Sequence, residues 1–185
     1  MIDAALKQAE DKMRKAIEVA REEFGGVRTG RASPQLLQRL NVDYYGAPTP
    51  LQQLASISVP ESRILVIHPY DRNAMSSIEK AIQASDLGLN PSNDGSVIRL
   101  TFPPLTEERR KELSKLVRDR AEHARVAIRN VRRHTKDEID KDIKDGKVSE
   151  DDGKRAEKEL QKLTDRFIAE VDEMLGRKEH ELMEV

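Results

Sequence analysis

Apolar residues recur at steps of three and four in three separate stretches of the chain. This spacing places them on one face of an α-helix. The first stretch covers residues 2–28, the second runs from Thr106 to about Asp145, and the third begins after Ser149 and continues almost to the C-terminus. Because a long amphipathic helix cannot bury its apolar stripe alone, the three stretches predict a long three-helix bundle.

Residues suited to helix ends flank these stretches. Thr106 and Ser149 stand where helix N-caps are expected, and Gly146 stands where the second helix should end. The Gly25-Gly26 pair weakens the last turn of the first helix, because glycine costs about 1 kcal/mol relative to alanine inside a helix.

The middle of the chain, residues 30–105, has a different pattern and holds all eight prolines. Short runs rich in β-branched and aromatic residues predict strands at 42–45, 56–59, 64–67 and 97–102. A helix is expected from Asp71 to about Ala84, and Asp94-Gly95 is typical of a tight turn. The predicted fold class is therefore α+β, with a mixed α/β domain inserted into the bundle.

The predicted domain bounds are 1–29 with 106–185 for the bundle and 30–105 for the insert. The chain must cross between the two parts twice, and both crossings contain residues that restrict or free the backbone. These residues predict a two-strand hinge, formed by Gly30, Arg31, Ala32, Pro103, Pro104 and Leu105.

Composition excludes several classes of protein. Charged residues make up 36% and aromatic residues 3%, but the sustained apolar periodicity argues against a disordered chain. The absence of cysteine excludes disulfides, thiolate metal sites and cysteine nucleophiles. No stretch of 18 apolar residues is present, and the N-terminus resembles no targeting signal. We therefore expect a cytoplasmic protein.

No motif for catalysis or for a cofactor stands out. The four histidines are scattered without metal-ligand spacing, and the glycines form neither a P-loop nor a dinucleotide fingerprint. The sequence predicts a binding protein without enzymatic activity, catalytic residues, cofactor or metal.

Charge is distributed unevenly, although the net charge is only -1. Residues 106–136 carry 11 basic and 5 acidic side chains, whereas residues 137–185 carry 10 basic and 17 acidic ones. Potentials add locally, so the second helix should present a basic face.

Five cations fall within about 60° of one another on that helix, on a sector predicted to face outward. They are Arg118, Arg125, Arg129, Arg132 and Lys136. The first helix repeats the arrangement at seven-residue spacing with Lys7, Arg14, Arg21 and Arg28. Arginine binds phosphate groups well, and no aromatic residues alternate with these cations to stack on single-stranded bases. The pattern therefore predicts binding to folded RNA.

Two alternatives remain open on the residues alone. Arg125 and Arg129 could instead pair with Glu122 or with acids of the third helix, although Glu122 is expected to lie too far along the helix from Arg129. The chain could also be a helical scaffold or chaperone that packs against protein partners. RNA binding would weaken steeply with salt, whereas apolar packing would not.

Several segments together resemble the bacterial ribosome recycling factor family over the whole chain. They are residues 27–34 (VRTGRASP), 44–46 (YYG), 49–51 (TPL), 53–56 (QLAS), 85–91 (SDLGLNP), 105–110 (LTEERR) and 129–133 (RNVRR). The resemblance implies an L-shaped protein whose long bundle is joined by a flexible hinge to a β/α/β domain. It also implies action after translation termination, when such factors split the ribosome with elongation factor G and GTP.

The resemblance further implies that the bundle binds large-subunit ribosomal RNA through Arg129, Arg132 and Arg133. Together with the basic residues near the first crossing and on the second helix, the candidate RNA-binding set is Arg28, Arg31, Arg125, Arg129, Arg132 and Arg133. The expected partners are the 70S ribosome, its large subunit and elongation factor G. We expect a monomer that does not associate with membranes.

Overall fold

A computed structural model describes residues 2–184 of the chain. Its helices are α1 (Ile2–Gly25), the single turn α2 (Leu51–Leu54), α3 (Met75–Ala84), α4 (Glu107–Lys144) and α5 (Glu150–Met183). Its strands are β1 (Asn41–Tyr44), β2 (Ala47–Pro50), β3 (Ala55–Glu61), β4 (Ile64–Pro69), β5 (Pro91–Asn93) and β6 (Ile98–Thr101). The chain forms two compact units, residues 2–27 with 107–184 and residues 28–106. The α+β fold class is confirmed.

The first unit is a bundle in which α1, α4 and α5 pack on one another. The predicted apolar stripes form its core. The largest fully buried side chains there are Met13, Ile128, Ile139 and Phe167. Each helix supplies one stripe, so the unit has a single apolar interior.

The bundle helices end where small or capping residues stand. The first helix ends at Gly25, three residues earlier than predicted, because the glycine pair terminates the helix instead of merely weakening it. Gly146 has φ of 73° and ends the hydrogen-bond ladder of α4, as predicted. The Ser149 hydroxyl accepts a hydrogen bond of 3.1 Å from the Asp152 amide and caps α5.

A close approach of α4 and α5 was not predicted. Gly153 is buried in the first turns of α5, and a Cβ at this position would overlap the side chain of Ile143. The tight connection between the two helices and the absence of a side chain at Gly153 bring the beginning of α5 directly against the end of α4.

The second unit contains a four-stranded antiparallel sheet in the order β3-β4-β6-β5 and a separate hairpin of β1 and β2. Four of the six strands match predicted runs. The other two, β2 and β5, are short and contain proline, so their sequences lack the usual strand signal. The helix α3 and the sheet enclose the core of this unit, which includes Leu65, Ile78 and Leu100.

The residues at the two predicted crossings have identifiable constraints. Gly30 has φ of 79°, a conformation that favours glycine. The Ala32 amide donates a 2.8 Å hydrogen bond to the carbonyl of Ser62, and the Phe102 amide donates one of 2.8 Å to the carbonyl of Arg63. Each crossing is thus hydrogen-bonded to the turn between β3 and β4. Rotation at the hinge stays a prediction.

Candidate RNA-binding surface

The six candidate arginines fall into two groups. Arg125, Arg129, Arg132 and Arg133 lie on α4 within the bundle, whereas Arg28 and Arg31 lie in the second unit after α1 has ended. The structure therefore places four of the six on one continuous helix face or its border.

The side of α4 that holds Arg118 and Arg125 packs along α5. The guanidinium of Arg118 donates two hydrogen bonds of 3.3 Å to Glu179. Arg125 donates bonds of 2.8 and 2.6 Å to Asp172, and its side chain is only 19% exposed. The hydrogen bonds from Arg118 to Glu179 raise the pKa of this arginine above its ordinary value.

Glu122 joins this arrangement from α4 itself. Its carboxylate accepts hydrogen bonds from Arg125 at 3.2 Å and from Arg129 at 3.4 Å. The expectation that Glu122 lies too far from Arg129 is wrong, because two helical turns separate the residues and both side chains are long enough to span them. Three arginines thus face three carboxylates, and we call Arg118, Arg125, Arg129, Glu122, Asp172 and Glu179 the neutral half of the α4–α5 seam.

The alternative in which the bundle pairs its own charges therefore holds for this half. The prediction that the arginines of this sector exceed their local partners is wrong for this half, although Arg118 and Arg129 still expose 62% and 53% of their side chains. The sector lies about 100° from the centre of the apolar stripe, and at that angle the neighbouring helix is within reach. Whether Arg125 and Arg129 also contact RNA stays a prediction.

Two arginines of the predicted stripe on α1, Arg14 and Arg21, are also paired. Glu10 accepts hydrogen bonds from Arg166 of α5 at 2.9 Å and from Arg14 at 3.0 Å, and Arg21 donates to Glu170 at 3.3 Å. The bond from Arg166 is the main reason that the pKa of Glu10 lies below its ordinary value. Arg14 and Arg21 of the predicted cationic stripe thus lie at a second seam, between α1 and α5.

Arg14 and Arg166 also lie over the same aromatic ring. Their guanidinium carbons are 5.6 and 4.9 Å from the ring centre of Phe167, which is itself buried. Cation–π attraction and the shared Glu10 carboxylate hold both arginines against the bundle.

Arg132 and Arg133 differ from their neighbours. Within residues 2–184, Arg132 has no ion pair, and Arg133 donates one hydrogen bond of 3.0 Å to the uncharged Asn130. Arg132 is half-buried and lines a groove of about 360 Å³ between α4 and α5, whereas Arg133 is exposed on the outer face. These two arginines keep their charge available for a ligand.

The two candidates of the second unit have different surroundings. Arg28 is half-buried, and its Nη2 atom is buried without a hydrogen-bond partner among the described residues. Arg31 is exposed. An unpaired guanidinium nitrogen is costly, and because this atom is buried it cannot itself contact a ligand in this conformation. Binding of RNA by Arg28 stays a prediction.

The α5 carboxylates of the neutral half, Asp172 and Glu179, were not singled out by number, although the sequence contains a signal for them. Arg118 and Arg125 are seven residues apart, and so are their partners Asp172 and Glu179. In an antiparallel helix pair, matching spacings of opposite charge predict such a ladder. The signal can be used only after the two helices have been assumed to be neighbours.

Residues 2–184 contain no group of three potential metal ligands. None of the helices in this range combines the length and the apolar character of a membrane span. Of the histidines, His68 contacts the hydroxyl of Ser58 at 3.4 Å, and His180 lies 3.2 Å from Glu184.

Comparison with known proteins decides the family. The family model described as "Ribosome recycling factor" matches residues 20–183. The chain belongs to the ribosome recycling factor family. It is 60% identical to the ribosome-recycling factor of Acidothermus cellulolyticus and 55% identical to that of Frankia alni, each over 185 residues that cover all of both chains. The resemblance seen in the sequence is confirmed.

Solved structures of ribosome recycling factors share the fold. A solution structure of the ribosome recycling factor has a TM-score of 0.81 and 47% identity, covering 100% of this chain and 98% of that one. A second structure has a TM-score of 0.68 and 48% identity and covers both chains fully. It describes the T. thermophilus ribosome recycling factor and the E. coli elongation factor G bound to the E. coli post-termination complex.

The segments that resemble ribosome recycling factors have defined places in the fold. Residues 129–133 lie on α4, with Arg132 and Arg133 unpaired by acids among the described residues. Residues 44–46 lie at the β1–β2 hairpin, where Tyr44 ends β1 and the two turn residues, Tyr45 and Gly46, have φ of 52° and 82°. Two successive positive φ angles are those of a type I′ hairpin turn.

Proposed function

We propose that this chain recycles ribosomes after translation termination. It binds the 70S ribosome and the large ribosomal subunit through ribosomal RNA. With elongation factor G and GTP, it splits the post-termination ribosome and promotes release from the mRNA. The supporting observation is full-length similarity to a ribosome recycling factor that is bound, together with elongation factor G, to a post-termination complex.

The two units have separate tasks in this proposal. The bundle, residues 1–29 and 106–185, binds ribosomal RNA, and the insert, residues 30–105, is the part that elongation factor G moves. The crossings at Gly30–Ala32 and Pro103–Leu105 act as the hinge. The insert has its own buried core, formed by residues from Leu37 to Phe102 along the chain. A separate core supports the proposal that the insert moves as one body.

The RNA-binding residues in this proposal are the six candidate arginines. Arg132 and Arg133 carry charges that no acid among residues 2–184 neutralises, so their full charge is available to phosphate groups. Arg28 has an unsatisfied buried nitrogen, and Arg31 is exposed. Arg125 and Arg129 would donate hydrogen bonds both to RNA and to the carboxylates of Glu122 and Asp172.

The chain acts without catalytic residues of its own. Elongation factor G supplies GTP hydrolysis, and the chain needs neither cofactor nor metal. We infer that it works as a monomer in the cytoplasm.

A splitting assay tests the proposal. Post-termination ribosomes are mixed with elongation factor G, GTP and the full-length chain, and subunit separation is followed by light scattering. Splitting that depends on all three components is expected. A chain that binds ribosomes but never separates the subunits with this partner would contradict the proposal.

Removal of the insert separates binding from action. A short linker replaces residues 30–105, and the bundle should still fold because its apolar stripes lie wholly outside the insert. This shortened chain should bind large subunits with a log–log salt slope near -3.5 to -4.5, as expected for about five neutralised phosphates, because Arg31 is removed with the insert. It should fail to split ribosomes, since elongation factor G has nothing to move. Full splitting without the insert would overturn the division of tasks.

A further inference from the structure

The groove that contains Arg132 is lined on its other side by two lysines of α5. Its lining residues are Arg132, Lys154, Glu157, Lys158, Leu160 and Gln161. Lys154 and Lys158 are exposed, and neither forms an ion pair with any residue in the range 2–184. We call this groove the cationic groove.

Among residues 2–184, Glu157 is the only carboxylate that lines the groove, and it is already engaged. Glu157 lies 3.3 Å from the ammonium group of Lys136, which also donates a 3.0 Å hydrogen bond to Asp140. The bonds to Asp140 and Glu157 raise the pKa of Lys136. The cationic half of the seam, Arg132, Lys136, Lys154 and Lys158 with Asp140 and Glu157, therefore has four cations against two carboxylates.

The position of Lys158 on its own helix adds to this excess. Its neighbours three and four residues away are Lys154, Arg155, Gln161 and Lys162, and none of them is acidic. Like charges at such spacings destabilise a helix. Lys158 therefore lacks an acid of α5 at helical spacing, whereas Lys154 has Glu150, Asp151 and Glu157 at such spacings. The unbalanced charge of the groove is thus greatest at Arg132 and Lys158.

We propose that the cationic groove binds the phosphate backbone of RNA, with Lys154 and Lys158 of α5 acting together with Arg132 of α4. The inference rests on the proposed function and extends its RNA-binding surface from α4 to α5. The planar guanidinium of Arg132 can bind two oxygens of one phosphate, and the lysines bind as point charges. Four residues of helix rise roughly 6 Å, which is similar to the separation of successive phosphates on an RNA strand.

The chemistry of the groove favours RNA over a protein partner. The core of a protein–protein interface is usually apolar and depleted of lysine. Among residues 2–184, Leu160 is the one apolar residue that lines the groove and is 1% exposed, and the exposed large apolar side chains lie elsewhere. A ligand here meets ammonium and guanidinium groups, which match phosphate.

The test is a double substitution with a matched control. Lys154→Gln with Lys158→Gln removes two charges from the groove, and Lys111→Gln with Lys115→Gln removes two from exposed lysines at the same spacing on α4. Affinity for isolated large ribosomal subunits is measured for both variants over a range of salt concentrations. Circular dichroism and melting temperature confirm that each variant is folded.

We expect the groove variant to bind about tenfold more weakly, with a log–log salt slope shallower by about two, one for each lysine that no longer neutralises a phosphate. The control should weaken binding far less. Equal weakening in the groove variant and the control would mean that only net charge matters. If the wild type binds large subunits and the groove variant binds them with the same affinity, the groove is not part of the interface. Both results overturn the inference and leave the proposed function standing. A wild type without salt-dependent binding to large subunits would overturn both.

A second measurement identifies the partner directly. Because the chain has no cysteine, Gln161→Cys places a single attachment point for a hydroxyl-radical probe in the groove. Cleavage of large-subunit ribosomal RNA that unlabelled protein suppresses is expected. If the labelled chain binds large subunits but cleaves no ribosomal RNA, the inference is overturned. It is also overturned if the groove variant binds large subunits normally but no longer binds elongation factor G.

Discussion

Both halves of the α4–α5 seam contain cations of α4, but their electrostatic roles differ. In the neutral half, three arginines are matched by three carboxylates, and Arg125 is largely covered by its partners. In the cationic half, Arg132, Lys154 and Lys158 form no ion pair among residues 2–184. The difference teaches that a row of cations on a helix is not by itself a binding surface. What matters is whether the neighbouring helix brings acids or more cations to the row.

The largest effect is expected for Arg132→Ala, which should lower the affinity for large subunits but hardly change the stability of the fold. Arg132→Ala should weaken binding to large subunits by about 10- to 150-fold, because a charge-assisted hydrogen bond is worth roughly 1.5–3 kcal/mol. The free energy of unfolding should change by no more than about 0.5 kcal/mol, since the substitution breaks no ion pair. Subunit binding and urea denaturation are measured in parallel. The matched control, Arg118→Ala in the neutral half, should leave binding nearly unchanged. The comparison fails if the two substitutions weaken binding equally.

A smaller effect on stability is expected in the neutral half. A double-mutant cycle of Arg125→Ala and Asp172→Ala should give a coupling energy of about 0.5–1 kcal/mol, because Arg125 is held in place at the helix interface. Urea denaturation of the four proteins measures it. The corresponding cycle of Arg132 and Glu157 should give a value near zero. Coupling in the second cycle but not in the first would reverse the assignment of the two halves.

Removal of a carboxylate from the cationic half should strengthen RNA binding slightly. Glu157→Gln leaves Lys136 with Asp140 alone and raises the positive charge at the groove, so affinity for large subunits should rise about two- to threefold at low salt. Glu179→Gln adds the same net charge in the neutral half and should have less effect. The gain should disappear at high salt. Equal gains from both substitutions would show that the location of the charge is unimportant.

The smallest effect concerns pH and the seam between α1 and α5. The hydrogen bond from Arg166 lowers the pKa of Glu10 from its ordinary value of 4.5. Because the pKa is depressed in the folded chain, the stabilisation is fully present above about pH 4.5 and is lost as the pH falls through the folded-state pKa. Glu10→Gln should therefore flatten the fall in melting temperature below about pH 4.5 and leave its course at neutral pH unchanged. An identical acid profile in wild type and variant would show that Glu10 does not contribute.

The fold could be predicted largely from periodicity and helix-end chemistry. The apolar stripes that include Phe24 and Ile139 lie in the bundle core as expected, and Ser149 and Gly146 cap the helices where they were placed. These features are local, because each depends on residues within one or two turns. The short strands β2 and β5 escaped prediction since their pairing partners, and not their own proline-containing sequences, make them strands.

The sequence by itself determined the family, the helices, the absence of cysteine chemistry and the presence of Arg132 and Arg133 on one helix. Only the tertiary structure decided which cations remain available. Arg125 and Arg132 are seven residues apart on the same helix face, yet Asp172 lies against the first and Lys154 and Lys158 line the groove with the second. The physical reason is that Coulomb interactions depend on distance in space, and the partners of α4 lie on α5, tens of residues away along the chain.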